Sequence, residues 1–226
     1  MRLGWRFSRF ISHWIFILGG RGRVYGVERV PRTGPVILAC NHQSFLDPII
    51  AALALPREAH FMARDTLFRN RWFGGIIDWF HAFPVRRGTA DVGAIKESLR
   101  RLKAGAALVT FPEGTRTRDG RIEPLQPGVV GIAKRARCPI VPTIIEGAYE
   151  MWPRHQTLPG CGHVRVLYGR PLAPQEFTGA DPDQIARELT RRLRELHNEL
   201  RHRMGRPPLA YEDESTTGAA ASNEVD

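Results

Sequence analysis

Pro35-Val36-Ile37-Leu38-Ala39-Cys40-Asn41-His42-Gln43-Ser44-Phe45-Leu46-Asp47 changes character halfway along. Its first six residues form a short apolar run that suits a strand buried on both faces, as parallel strands are. Its remaining residues include Asn41, His42, Gln43, Ser44 and Asp47, which bear hydrogen-bonding or titratable groups. Pro48 then opens a helical stretch through Leu55. The order strand, polar loop, helix is the unit of an α/β sheet. In open sheets of that kind, ligands and catalytic groups gather beyond the carboxyl ends of the strands.

The same alternation recurs on either side. Ala106 to Phe111 is a second buried-strand run, Pro139 to Ile145 a third and Val164 to Leu167 a fourth. Upstream, Val24 to Val30 is a short strand candidate, closed by a turn over Pro31 to Gly34. Residues 90–103 read as an amphipathic helix with Val92, Ile95, Leu99 and Leu102 on one face, and Gly128 to Ala136 is helical in pattern. Residues 71–81 are apolar and aromatic, with Trp72, Phe73, Ile76, Ile77, Trp79 and Phe80. A last helix has Asp181 as N-cap, Pro182 at N1 and Gln184 at N3, then a core stripe of Ile185, Leu189, Leu193, Leu196 and Leu200. Strands alternating with helices imply an α/β fold, a mostly parallel central sheet flanked by helices.

Three segments follow. Residues 1–20 carry Leu3, Phe7, Phe10, Trp14 and Ile17 at helical spacing, flanked by Arg2, Arg6 and Arg9. The longest apolar run there, Trp14 to Leu18, is far below the ~20 residues that span a bilayer. Such a basic amphipathic helix either lies in a membrane interface or packs on its own domain. Residues 21–205 make the main domain, and 206–226 an acidic tail expected to be disordered.

The chain has 226 residues, which suits one domain. Its net charge is +10, and residues 211–226 hold five acids and no base. The rest carries all 33 basic residues against 18 acidic ones, a net +15. Only Lys96, Lys103 and Lys134 are lysines. That surplus favours an anionic partner, and arginine forks suit phosphate oxygens, although most of these arginines read simply as solvated surface. Three cysteines without a Cys-x-x-Cys pair argue against a disulfide framework or zinc site and fit a reduced, cytosolic setting. No Gly-x-Ser-x-Gly, phosphate-binding P-loop or nucleic-acid-binding signature is present.

Two clusters bear chemistry. His42 and Asp47 in one continuous helix would sit ~140° apart, at ~100° per residue. Pro48 disfavours helical geometry at Asp47, so the segment reads as a loop curling back, with Asp47 at the N-cap of the next helix. A carboxylate there reaches a ring nitrogen, fixes its tautomer and stabilises the imidazolium formed when the other nitrogen takes a proton. The plainer reading is a buried histidine and a helix cap. The second cluster, Phe111-Pro112-Glu113-Gly114-Thr115-Arg116-Thr117, also follows a buried strand. It offers a close backbone approach at Gly114 and a hydroxyl and guanidinium to an anion, or else it is a turn with a surface arginine.

Taken together, the clusters resemble those of the glycerol-3-phosphate and lysophosphatidate acyltransferase family. Asn41 to Asp47 is similar to the family's His-x4-Asp block, and Phe83-Pro84-Val85-Arg86-Arg87-Gly88 to its second block. Phe111 to Thr117 is similar to the third, and Ile140-Val141-Pro142-Thr143 to the fourth. The resemblance covers roughly residues 22 to 170. It implies the glycerolipid acyltransferase fold with a membrane-associating N-terminal helix. It implies His42 and Asp47 as catalytic residues, and Arg87, Glu113, Gly114, Thr115 and Arg116 as substrate-binding. Asn41, Ser44 and Pro142 would support them.

The implied substrates are a lysophosphatidate-like acceptor and acyl-CoA or acyl carrier protein. No metal or cofactor is needed, and no nucleic acid is expected. The implied location is peripheral, on an anionic membrane at the cytoplasmic face. Two departures stand out: Arg86 occupies a position where many members have an acid, and Leu125-Gln126-Pro127 replaces a common Phe-Lys. The second leaves room for another acceptor, such as a lyso-ornithine lipid.

Overall fold

The computed structural model describes residues 22–53, 55, 57–86, 91–153, 156, 158 and 160–211. Seven strands form one sheet: β1 (Arg23–Tyr25), β2 (Val36–Cys40), β3 (Ala59–Arg64), β4 (Ala82–Val85), β5 (Ala107–Thr110), β6 (Ile140–Glu146) and β7 (Arg165–Tyr168). Their spatial order is β1-β7-β6-β2-β5-β3-β4. The block β6-β2-β5-β3-β4 is parallel throughout. β7 runs antiparallel to β6, and β1 pairs parallel with β7. The sheet is therefore mostly parallel, as expected, with a reversed pair at one edge.

β2 lies centrally, between β5 and β6, and all five of its residues are fully buried. Its side chains alternate between two cores. Val36, Leu38 and Cys40 join one cluster and Ile37 and Ala39 the other, as the two-residue period of a strand requires. The first face is covered by α1 (Asp47–Leu53), through Ile50, Ala51 and Ala52, and by the short α5 (Ala148–Met151). The second is covered by α3 (Val92–Lys103), α4 (Gly128–Ala136), α6 (Pro174–Phe177) and α7 (Pro182–Arg203). α2 (Arg71–Trp79) carries the aromatic stretch, and its Trp72 is 86% exposed. The side chains of Phe73, Ile76 and Trp79 lie outside the described residues.

Several local expectations hold to the residue. α4 spans Gly128–Ala136, and Asp181 caps α7 by accepting from the Gln184 N–H at 3.2 Å. Others need correction. The strand expected over Val24–Val30 stops at Tyr25, because Gly26 adopts φ +74° and the chain turns into a 3-10 turn over Val27–Arg29. A Cβ at Gly26 would collide with the Tyr168 carbonyl, so this close approach needs glycine. Of the expected tail over residues 206–226, residues 206–211 are described. Arg206 to Tyr211 fold back along α7, where Asn198 hydrogen-bonds Leu209 in both directions, at 3.1 and 2.8 Å. The expected N-terminal amphipathic helix, and residues 212–226 of the tail, lie outside the described residues. Among the described residues no helix is long and apolar enough to cross a membrane.

Candidate active site

The site forms where β2 and β5 end side by side. The loop after β2 is stitched to the loop after β5 by its own backbone. The His42 N–H donates to Glu113 Oε1 at 2.7 Å, and the Thr117 N–H donates to the His42 carbonyl at 2.8 Å. Asn41 anchors the other side. Its Nδ2 donates to the Ile145 carbonyl at 2.9 Å, and its Oδ1 accepts the Ile145 N–H at 2.8 Å, tying the end of β2 to β6. Both His42 backbone groups and the preceding side chain are thus held, leaving the imidazole little freedom.

The ring itself is fixed on two sides. Its Nδ1 lies 2.8 Å from Asp47 Oδ2, and its face stacks on Phe111 with centroids 4.2 Å apart. The same Oδ2 accepts the N–H groups of Gln43 and Ser44, each at 2.6 Å. An oxygen with two backbone donors acts as an acceptor, so the network assigns the proton to His42 Nδ1 and the lone pair to Nε2. Among the described residues Nε2 has no hydrogen-bond partner. Asp47 is fully buried, and its Oδ1 has no hydrogen-bond partner among the described residues. The expected loop curling back is present, with one correction. Asp47 is the first residue of α1, and its carboxylate serves the preceding loop rather than capping the helix that follows.

Neighbouring groups sharpen the assignment. Burial, and then the Asp47 carboxylate, push the Cys40 thiol far above the ordinary thiol range. It stays protonated and offers no nucleophile. Ser44 Oγ donates to the Trp152 carbonyl at 2.9 Å and accepts from the Leu46 N–H at 3.2 Å, so it shapes the loop. His42 is the base-type side chain that this loop leaves with an open nitrogen.

The second cluster divides in its tasks. Glu113, expected on substrate, uses both carboxyl oxygens internally, accepting from His42 N and, at 3.1 Å, from Glu123 N. Burial raises its carboxyl to about 8, against the lowering effect of those two N–H groups. It braces the two loops. Gly114 holds φ +73°, and a Cβ there would lie 2.8 Å from Gln126 Nε2. Thr115 is exposed at the rim. Arg116 lies over Phe45, its guanidinium carbon 3.6 Å from the ring centroid, so the loop of His42 also carries the platform for this arginine.

Arg87, also expected to bind substrate, lies outside the described residues. Pro142 sits in β6 opposite Ala39 and accepts from the Gly169 N–H at 2.8 Å. Its missing N–H falls on the β7 side of the strand, where the ladder ends, so the proline costs no bond to β2. Phe111, Phe45 and Gln43 escaped assignment to the site. Phe111 had a signal in its position ahead of Pro112, whereas the contacts of Gln43 are too distant in sequence to be read.

Comparison with known proteins agrees with this geometry. A family model described as Acyltransferase matches residues 21–146, just over half the chain. The chain is 32% identical over 194 residues to the 1-acyl-sn-glycerol-3-phosphate acyltransferase of Bacillus subtilis (strain 168), covering 82% of this chain and 93% of that protein. It is 28% identical over 186 residues to 1-acyl-sn-glycerol-3-phosphate acyltransferase alpha of Mus musculus, covering 77% of this chain and 62% of that one. The crystal structure of the 1-acyl-sn-glycerophosphate acyltransferase PlsC from Thermotoga maritima superposes with a TM-score of 0.68 at 26% identity, over 84% of this chain and 77% of that one. With a buried His-x4-Asp pair at the carboxyl end of its central strand, this chain belongs to the acyltransferase family.

Proposed function

We propose that the protein transfers a fatty acyl group from a thioester, acyl-CoA or acyl carrier protein, to the free hydroxyl of 1-acyl-sn-glycerol-3-phosphate, forming phosphatidate for phospholipid synthesis. The observation that carries this reading is the 2.8 Å contact of His42 Nδ1 with buried Asp47, which leaves Nε2 as the proton acceptor. His42 Nε2 takes the hydroxyl proton as the oxygen attacks the thioester carbonyl carbon. The tetrahedral intermediate collapses, the carbon–sulfur bond breaks, and the imidazolium returns its proton to the leaving thiolate. Asp47 stabilises the imidazolium between those steps. Positioned general-base help of this kind contributes ~10²–10⁴ in rate. The thioester is already activated, so no covalent acyl-enzyme is drawn and no metal or cofactor is needed.

Arg116, oriented by Phe45, and Arg87 would hold the acceptor phosphate as charge-assisted ligands. Gly114 and Thr115 line the same loop. The enzyme meets its lipid acceptor as a peripheral protein on the cytoplasmic face of the membrane. Supporting this are the exposed Trp72, the exposed Arg69 and Arg71 beside it, and the +15 charge of residues 1–210. Gln126 approaches Gly114 in place of the family's lysine, which favours testing other lyso-lipid headgroups.

The test offers purified protein in liposomes each donor with a panel of acceptors: lysophosphatidate, lysophosphatidylcholine and a lyso-ornithine lipid. Phosphatidate as the dominant product supports the reading. Equal or faster acylation of an acceptor without the phosphate monoester would move the assignment to that acceptor. No ester formed with any pair would overturn the acyl-transfer reading.

A further inference from the structure

Gln43 lies between His42 and Ser44, yet the chemistry above gives its side chain no task. Its Nε2 donates to the Gly120 carbonyl at 3.3 Å and to Glu146 Oε2 at 3.2 Å, and its Oε1 accepts from the Tyr149 N–H at 3.4 Å. Glu146 closes β6 and is 2% exposed. Its Oε2 also meets His197 Nε2 at 2.7 Å, and its Oε1 accepts from Arg201 at 2.6 Å and Arg206 at 2.9 Å. His197, wholly buried on α7, places its Nδ1 2.8 Å from the Tyr211 hydroxyl.

The proton positions along this chain follow from the partners. Burial raises the Glu146 carboxyl, but His197, Gln43 and Arg206 outweigh it and bring it to about 2, so Glu146 only accepts. His197 Nε2 therefore donates. Burial pushes the Tyr211 hydroxyl up to about 12, so it keeps its proton, and a hydroxyl that can donate or accept is a compatible partner for His197 Nδ1. Every polar atom along the line has a compatible partner, and a fully satisfied buried network holds one arrangement of the chain. A buried ion pair is weak evidence for stability, and its best-supported use is to select a unique geometry.

We propose that Tyr211, His197, Glu146 and Gln43 form a brace that sets the His42–Asp47 loop, which makes Tyr211 a positioning residue for acyl transfer. The backbone N–H of Gln43 is one of the groups that hold Asp47 Oδ2, so a shift of Gln43 is felt directly at the catalytic pair. The sequence just beyond α7 thereby joins the catalytic apparatus. This inference rests on the acyl-transfer reading for its consequence, though not for its geometry.

The test compares Tyr211→Phe, Gln43→Met and the double variant. Tyr211→Phe deletes only the hydroxyl and keeps the ring beneath Arg194, 4.8 Å away. Deuterium exchange of the peptide covering residues 41–47 should rise about threefold or more in Tyr211→Phe, because the loop loses a restraint. Its kcat should fall roughly threefold with KM within about twofold, and Gln43→Met should cost about tenfold. The double variant should be no worse than Gln43→Met alone, since separated residues multiply their effects unless they act through one another.

Multiplying losses, or unchanged exchange in the loop, would overturn the brace. The exchange measurement decides it even if Gln43→Met does not fold. Should the wild type transfer no acyl group while loop exchange still responds to Tyr211→Phe, the brace stands and the acyl-transfer reading falls.

Discussion

Replacing Asp47 with Asn removes a charge and almost no volume. Three donors converge on Oδ2: His42 Nδ1 at 2.8 Å and the N–H groups of Gln43 and Ser44 at 2.6 Å. An amide oxygen in that place keeps all three contacts, and the amide nitrogen then takes the Oδ1 position, where no acceptor awaits it among the described residues. The fold should therefore survive at a cost of about 1–3 kcal/mol for the unsatisfied buried donors. The rate should suffer more. In the transition state His42 becomes cationic next to Asp47. Two unit charges about 4 Å apart attract by ~4 kcal/mol at an effective dielectric constant of ~20. That term is absent in the variant and corresponds to roughly a thousandfold loss in kcat. KM should change by less than about fivefold, because Asp47 is fully buried and stabilises charge formed only in the transition state. The assay follows thiol release from acyl-CoA in liposomes containing lysophosphatidate, with unfolding in urea measured alongside. A folded Asp47→Asn protein retaining kcat within about tenfold of wild type would refute the reasoning.

Three further outcomes are expected. Asn41→Ala leaves the Ile145 N–H and carbonyl unpaired in the core and should cost about 2–4 kcal/mol in urea unfolding, with activity lost in proportion to loop order. Gly147→Ala should cost at least about 3 kcal/mol or prevent folding, because φ is +89° and a Cβ meets the His163 carbonyl. Burial raises the Glu146 carboxyl, but His197, Gln43 and Arg206 outweigh it and hold it near 2 against an ordinary 4.5. A depressed carboxyl stabilises the fold above about pH 4.5 and loses that contribution as pH falls towards 2. Thermal unfolding across this window should show an acid limb worth about 3 kcal/mol that flattens in Glu146→Gln.

The legible parts of the fold were those decided by local pattern. The run ending at Cys40 announced a doubly covered strand, and α4 and the cap of α7 followed from periodicity and from Asp181. Less legible was β3, because Ala59-His60-Phe61-Met62-Ala63-Arg64 mixes polar and apolar residues on a strand that is only half-buried at its far end. β4 follows directly on the aromatic run of residues 71–81, whose bulk hydrophobicity masked the boundary at His81. The reversal of β7 depends on pairing with β6, which no local signal encodes. At the site, His42 and Asp47 were visible because six consecutive residues hold both. The inward role of Glu113 was hidden, since its partners His42 and Glu123 reach it through backbone N–H groups that carry no side-chain signature. Glu146 was equally hidden, because its donors come from the His42 loop, α7 and Arg206.

The central claim is that His42 Nε2 removes the acceptor proton. Its most direct test is phosphatidate formation by His42→Ala, followed by mass spectrometry of the lipid product in liposomes with saturating acyl donor and lysophosphatidate. The variant should fold and turn over at least about a hundredfold more slowly, the low end of general-base assistance. A His42→Ala protein turning over within about threefold of wild type would contradict it.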